Sequence, residues 1–106
     1  MDTLSRLEAT IAQRRAASPD SSYVAKLNAR GLPKICEKVG EEATETVIAA
    51  LSGSDKELTG EAADLVFHLM VLLSAKDIPL ADVLAELDRR EGTSGLEEKA
   101  ARKTEQ

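Results

Sequence analysis

Aromatic side chains, cysteine and basic charge are all scarce in this chain of 106 residues. Tyr23 and Phe67 are its only residues of the Phe, Trp and Tyr class, so aliphatic side chains must build the core, as is common where helices pack on helices. The single cysteine, Cys36, excludes an intramolecular disulfide and a multi-cysteine zinc site, and it suits a reducing compartment. We therefore expect a cytoplasmic protein.

Positive charge and long hydrophobic runs are lacking as well. The 14 Lys and Arg residues against 19 Asp and Glu residues give a formal net charge of −5, which leaves no basic surface for nucleic acid. The N-terminal residues contain no apolar signal core, and the longest apolar run, 69–73, is far too short to span a bilayer. We expect neither a nucleic-acid partner nor a membrane partner.

The composition that remains is that of a globular protein, with 42% hydrophobic and 31% charged residues. The length allows one domain. Apolar periodicity continues to about Arg90, and the residues after it are mostly charged. We expect one all-α domain over 1–91 and a charged, flexible C-terminal tail over 92–106.

Five segments carry apolar residues at three- and four-residue spacing, and none shows the sustained alternation of a strand. The spacing predicts an all-α fold of about five helices, the first over about Thr3 to Ala17. In the third, an apolar residue recurs every four positions from Ile35 to Leu51. Capping residues and prolines place the starts of the later helices near Ser21 or Ser22, Pro33, Ser54 or Asp55, and Pro79.

The fourth predicted helix is the most apolar. From Leu65 to Leu73 only His68 interrupts its hydrophobic residues, so every face of this segment is apolar. Such a helix is buried on all sides, either at the centre of a bundle or in a dimer core. A chain this short cannot hide so much apolar surface alone, so we expect a homodimer or a higher homo-oligomer.

Four carboxylates fall into two pairs on the third and fourth predicted helices. Glu42 and Glu45 lie one turn apart on one face, and Glu61 and Asp64 repeat that spacing on the next helix. Four converging carboxylates repel one another unless a cation lies between them, and Mg²⁺ or Mn²⁺ prefers such oxygen ligands. The pattern predicts a divalent-metal site.

Basic residues follow the same strip of the third helix. Lys34 and Lys38 lie along the face that carries Glu42 and Glu45. Carboxylate-held Mg²⁺ flanked by lysines suits a di- or triphosphate. A free carboxylate such as Glu41 could activate the water that hydrolyses it.

The same residues also fit a simpler interpretation. Acidic residues are common on helix surfaces and in first turns, where the helix dipole favours them. His68 fits a hydrogen-bonded core histidine better than a metal ligand, and Cys36 fits a small buried side chain. Lys26 and Arg30, four residues apart, fit a solvated basic face.

Four ordered segments carry a resemblance to a known family. They are residues 22–27 (Ser-Tyr-Val-Ala-Lys-Leu), 31–35 (Gly-Leu-Pro-Lys-Ile), 38–45 (Lys-Val-Gly-Glu-Glu-Ala-Thr-Glu), and 61–65 (Glu-Ala-Ala-Asp-Leu) with His68 and Leu69. Together they resemble the phosphoribosyl-ATP pyrophosphatase family of the all-α, MazG-type nucleoside-triphosphate pyrophosphohydrolases. The similarity extends from the first helix to Arg90.

This resemblance implies a MazG-type fold like an antiparallel four-helix bundle, completed by homo-oligomerisation. It implies Mg²⁺-dependent hydrolysis of 1-(5-phosphoribosyl)-ATP to 1-(5-phosphoribosyl)-AMP and pyrophosphate, the second step of histidine biosynthesis, with Mn²⁺ as a substitute metal. By the same resemblance the metal ligands would be Glu42, Glu45, Glu61 and Asp64, the catalytic carboxylates Glu41, Glu42 and Glu45, and the phosphate-facing residues Lys26, Arg30, Lys34 and Lys38.

Two other functions stay open from the sequence. A related enzyme that clears noncanonical nucleoside triphosphates would use the same carboxylates on a different base. A helical interaction module would need no Mg²⁺, and substitution of Glu42 or Asp64 would affect only its stability.

Overall fold

The computed structural model describes residues 2–91 and 95–105, and every regular element in these ranges is an α-helix. The all-α prediction is confirmed. A sixth helix lies in the segment predicted to be a flexible tail; the flexibility itself stays a prediction, and residues 92–94 and 106 lie outside the described ranges. The helices are α1 (Thr3–Arg14), α2 (Tyr23–Arg30), α3 (Leu32–Ser52), α4 (Asp55–Ala75), α5 (Leu80–Arg90) and α6 (Gly95–Glu105).

Local sequence explains where most of these helices begin and end. Asp2, Ser22 and Ser54 cap α1, α2 and α4, because each side-chain oxygen accepts a hydrogen bond from a backbone amide of the first turn. Gly31, at φ 94°, ends α2, and its left-handed backbone lets the chain turn at once into α3. α1 ends at Arg14, somewhat earlier than predicted.

The α3–α4 hairpin is the centre of the fold. A two-residue connection makes these helices antiparallel, and α1 and α2 pack across one end of the pair. Cys36, predicted to be buried next to Ile35, is exposed, because consecutive helical residues lie about 100° apart around the axis. The buried core comprises Ile11, Val24, Leu27, Ile35, Met70, Val71 and Leu80.

One chain does not bury its central hairpin on all sides. Ile35 is 1% exposed, but Val47 and Leu51, on the same stripe of α3, are 57% and 84% exposed. In α4, Val66 and Leu69 are 43% and 42% exposed. Of the two predicted settings for α4, burial at the centre of a bundle is not reached within one chain, because α1 and α2 cover only part of the hairpin; the dimer core stays a prediction.

Among the described residues, α4 is the one helix long and apolar enough to cross a bilayer. Length and composition alone are weak evidence, because the core helix of a soluble protein passes the same test. α4 contributes His68, Met70 and Val71 to the buried interior and packs along α3. The contribution of α4 to the buried interior therefore accounts for its apolar composition.

Glu8 of α1 and Arg15, the residue that follows α1, bind the two sides of the connection between α4 and α5. Arg15 Nη1 donates a hydrogen bond to the Ser74 carbonyl at 2.7 Å, near the end of α4. The Leu80 amide, at the start of α5, donates to Glu8 Oε2 at 2.7 Å. The end of α4 and the start of α5 thus obtain hydrogen-bond partners from α1 and the residue after it.

Replacing Glu8 with alanine is expected to destabilise the fold by about 1 kcal/mol, because the Leu80 amide loses its capping acceptor. Urea unfolding followed by circular dichroism measures this as a lower midpoint. The control Gln13→Ala changes an exposed position near the end of the same helix and should leave the midpoint unchanged. A Glu8→Ala midpoint equal to that of the wild type would show that the contact contributes nothing.

Candidate functional site

The α3–α4 hairpin brings three of the four predicted carboxylates together. Carboxylate oxygens of Glu42, Glu45 and Glu61 all lie within 4.8 Å of one another. Glu42 is 6% exposed, Glu61 is half-buried and Glu45 is exposed, so the cluster extends from the interior to the surface. The convergence expected from helical spacing is present for these three residues.

Two oxygens of the cluster lack a hydrogen-bond partner within the described residues. Glu42 Oε2 and Glu61 Oε2 are both buried. A buried acceptor without a donor costs about 1–3 kcal/mol, and more when it is charged. A divalent cation would give both oxygens a partner, and an all-carboxylate donor set suits Mg²⁺ or Mn²⁺. The residues present therefore fit such an ion.

The charges of the cluster are poorly compensated by the protein alone. Burial raises the pKa of Glu42, and the neighbouring Glu45 carboxylate raises it further. Burial also raises the pKa of Glu61, again followed by the influence of Glu45. Shifts of this sign mark carboxylates with too little positive charge around them.

Asp64 stands apart from the three clustered carboxylates. It is exposed, and it is not among the residues whose oxygens meet within 4.8 Å. Its negative charge still contributes, after burial and Glu45, to the raised pKa values of Glu42 and Glu61. Asp64 therefore lies near the cluster without belonging to it.

Lysines line the same strip of α3, as predicted. Lys38 Nζ lies 3.1 Å from Glu41 Oε2 and 3.7 Å from Glu42 Oε1. The hydrogen bond from Lys38 lowers the pKa of Glu41. One turn earlier, Lys34 Nζ lies 3.4 Å from Glu37 Oε1. Lysine and glutamate side chains thus alternate along the part of α3 that precedes the carboxylate cluster.

Lys26 and Arg30 lie on α2, and both are exposed. In the part of the chain that the structure describes, neither forms a salt bridge with the carboxylate cluster. Their role at the phosphates stays a prediction.

Thr46 lies at the carboxylate cluster, although no sequence pattern selected it. Its Oγ1 lies 2.7 Å from the Glu42 carbonyl and 3.2 Å from the Glu61 carbonyl, so one hydroxyl connects α3 and α4 at the level of the carboxylates. No local signal distinguishes Thr46 from Thr44, whose hydroxyl bonds within α3, to the Gly40 carbonyl. Only the packed hairpin separates the two threonines.

A ring cluster beside the carboxylates was also missed. Tyr23 and Phe67 stack with their centroids 6.2 Å apart, and His68 meets both rings edge-on. Tyr23 Oη lies 2.8 Å from His68 Nε2, and His68 Nδ1 lies 2.7 Å from the Asp64 carbonyl. Burial raises the pKa of Tyr23, and the charges of Lys38 and nearby carboxylates also act on it. Tyr23 lies on α2, whereas Phe67 and His68 lie on α4, and the sequence does not show that the two helices bring these rings together.

Comparison with known proteins gives one consistent result. Residues 4–91 match the family model described as phosphoribosyl-ATP pyrophosphohydrolase. A phosphoribosyl-ATP pyrophosphatase of Erythrobacter litoralis is 76% identical over 102 residues, which are 96% of this chain and 98% of the relative. The protein of the same name from Novosphingobium aromaticivorans is 74% identical over 101 residues, which are 95% of this chain and 94% of the relative. That from Dinoroseobacter shibae is 59% identical over 102 residues, which are 96% of this chain and 100% of the relative.

Proposed function

The chain belongs to the phosphoribosyl-ATP pyrophosphohydrolase family, and from that premise we propose that it hydrolyses 1-(5-phosphoribosyl)-ATP in histidine biosynthesis. A water oxygen bonds to phosphorus, the α–β phosphoanhydride bond breaks, and 1-(5-phosphoribosyl)-AMP and pyrophosphate leave. The observation that carries this proposal is the cluster of Glu42, Glu45 and Glu61 with its two buried, unpartnered oxygens. We place the reaction in the cytoplasm.

Mg²⁺ is the cofactor that we propose, with Mn²⁺ as its substitute. Glu42, Glu45 and Glu61 would hold the ion, and Asp64, one turn beyond Glu61, would be a fourth ligand. When bound, the metal supplies charge neutralisation at phosphate oxygens.

Side chains on α3 would bind and orient the substrate. The Lys38 ammonium, now shared between Glu41 and Glu42, would bind a phosphate oxygen, and Lys34 would bind another one turn away. Glu41 would lose its hydrogen bond from Lys38 when phosphate binds. Because that hydrogen bond lowers the pKa of Glu41, its loss would make the carboxylate a better proton acceptor for the attacking water.

Substrate profiling tests the proposed reaction. Pyrophosphate release is measured with phosphoribosyl-ATP and with a panel of ordinary and damaged nucleoside triphosphates, all with Mg²⁺. We expect turnover confined to phosphoribosyl-ATP. Preference for another triphosphate would assign the chain to nucleotide clearance, and silence on all substrates would favour a helical interaction module.

We also propose that a second copy of the chain covers the apolar surface that the α3–α4 hairpin leaves exposed. Val47, Ile48 and Leu51 on α3 and Val66 and Leu69 on α4 are between 42% and 84% exposed. Large apolar residues grouped on neighbouring helices favour association, and helix hairpins of two chains can complete one four-helix bundle. The proposed assembly is a homodimer or a higher homo-oligomer.

Ile48→Glu is expected to reduce the mass of the particle to that of one chain, because the charge would be buried at the proposed interface. Light scattering coupled to size-exclusion chromatography measures the mass. Gln13→Glu adds the same charge on exposed α1 and should leave the assembly intact. A monomeric wild type, or an Ile48→Glu protein with the wild-type mass, would contradict the interface.

A further inference from the structure

We propose that Tyr23 contacts the ribose that carries the triphosphate, and that His68 is a positioning residue that turns the Tyr23 hydroxyl into a hydrogen-bond acceptor for that sugar. This inference rests on the proposed function and names a contact outside the carboxylates and lysines. The observations behind it are the 2.8 Å and 2.7 Å hydrogen bonds that connect Tyr23, His68 and the Asp64 carbonyl.

The direction of these hydrogen bonds follows from the Asp64 carbonyl. A carbonyl oxygen can only accept, so His68 Nδ1 must carry a proton to form the 2.7 Å bond. In a neutral imidazole the other nitrogen, Nε2, then has a free lone pair. With His68 in this neutral tautomer, the Tyr23 hydroxyl 2.8 Å away donates its single proton to Nε2. Its oxygen has lone pairs left and no proton to offer a ligand.

An acceptor-only hydroxyl selects which part of a nucleotide it can contact. Phosphate oxygens are acceptors too, so they cannot hydrogen-bond to Tyr23 while its proton is held by His68. The ribose hydroxyls are the donors nearest to the phosphate chain of a nucleoside triphosphate. A ribose beside Tyr23 would thus find an acceptor, and the phosphates would find the lysines and carboxylates instead.

The position and exposure of Tyr23 suit such a contact. Tyr23 is 46% exposed although Phe67 and His68 pack against its ring. His68 is 6% exposed, so the group that orients the hydroxyl is shielded from solvent. Through His68 the Tyr23 hydroxyl is connected to the Asp64 carbonyl, one helical turn from Glu61, so it lies on the side of the hairpin that carries the carboxylates.

The test compares substrate and product affinities of variants that keep or remove the hydroxyl. Tyr23→Phe keeps the ring and is expected to raise KM for phosphoribosyl-ATP about threefold to tenfold, with kcat within about twofold of the wild type. The inhibition constants of the two products distinguish a contact with the ribose from a contact with the phosphates. The inhibition constant of phosphoribosyl-AMP, which retains the ribose, should rise with KM, whereas that of pyrophosphate should not change.

His68 variants test whether the histidine acts through Tyr23. His68→Leu should raise KM as Tyr23→Phe does, and the double variant should be little worse than either single one. His68→Gln keeps an acceptor for the Tyr23 proton and should restore most of the affinity. Mg²⁺ binding by calorimetry and helicity by circular dichroism should match the wild type in Tyr23→Phe and His68→Gln, which separates this role from a structural one.

If the wild type hydrolyses phosphoribosyl-ATP, the proposed function stands, and three results would then overturn this inference alone. They are an unchanged KM in Tyr23→Phe, an equal rise in the pyrophosphate inhibition constant, and fully additive effects of Tyr23→Phe and His68→Leu. Absence of phosphoribosyl-ATP hydrolysis by the wild type would instead overturn the proposed function and this inference together.

Discussion

Glu42→Gln is expected to reduce phosphoribosyl-ATP hydrolysis at least about a hundredfold while making the metal-free protein more stable. The loss of activity follows because Glu42 is the buried member of the carboxylate cluster, and an amide is a weaker ligand that carries no charge. The gain in stability follows because the substitution removes a carboxylate whose charged form is disfavoured by burial and by Glu45.

The stability difference between Glu42→Gln and the wild type should depend on pH. A carboxyl group whose pKa is raised on folding stabilises the protein while it is protonated, fully so below its ordinary pKa of 4.5. That contribution is lost as pH rises through the raised pKa. Melting temperatures in EDTA should therefore diverge as pH rises, with the variant melting higher, and converge at low pH.

Asp55→Asn is the matched control for this prediction. Asp55 is an exposed carboxylate in the first turn of α4, outside the cluster, and its substitution should leave activity unchanged. Near-normal turnover by Glu42→Gln would remove Glu42 from the proposed metal site. A lower melting temperature than the wild type at neutral pH in EDTA would show that its charge is compensated in another way.

Lys38→Met is expected to raise KM for phosphoribosyl-ATP about tenfold to a hundredfold, because a hydrogen bond to a charged group is worth more than a neutral one. The Lys38 ammonium lies between Glu41 and Glu42, at 3.1 and 3.7 Å, whereas Lys34, one turn earlier on α3, pairs with Glu37. Methionine keeps the length of the side chain without its charge.

Two comparisons complete the test of Lys38. Lys76→Met removes a lysine that follows the last residue of α4, about 20 Å along the helix from Glu61, and should leave KM unchanged. The inhibition constant of pyrophosphate should rise with KM in Lys38→Met, in contrast to the result expected for Tyr23→Phe. Unchanged substrate and pyrophosphate affinities would exclude Lys38 as a phosphate ligand.

Features that depend on neighbouring residues in the chain could be predicted from the sequence. The caps of α2 and α4 are Ser22 and Ser54, each one of the two residues that the sequence offered for the start of its helix. Glu42 and Glu45 share a face because helical geometry alone places residues three apart one turn from each other. The convergence of α4 on this face followed from the short connection between the two helices.

Features that depend on how helices pack could not be predicted in the same way. The hydroxyl of Thr46 reaches the Glu61 carbonyl, and Tyr23 reaches His68, only because α2, α3 and α4 meet at particular rotations. The exposure of Val47 and Leu51 was missed for a related reason, because periodicity identifies an apolar stripe but does not show which part of it the same chain covers.

Mg²⁺ titration with turnover measured on the same preparations tests the central claim most directly. Calorimetry is performed on metal-free wild type, Glu42→Gln and Glu61→Gln, and phosphoribosyl-ATP hydrolysis is assayed in EDTA and after Mg²⁺ is restored. We predict that wild type binds Mg²⁺ and is active only with it, and that both variants lose binding and activity together. Hydrolysis that persists in EDTA, or Mg²⁺ binding by both variants with wild-type affinity, would contradict a metal site at the carboxylate cluster.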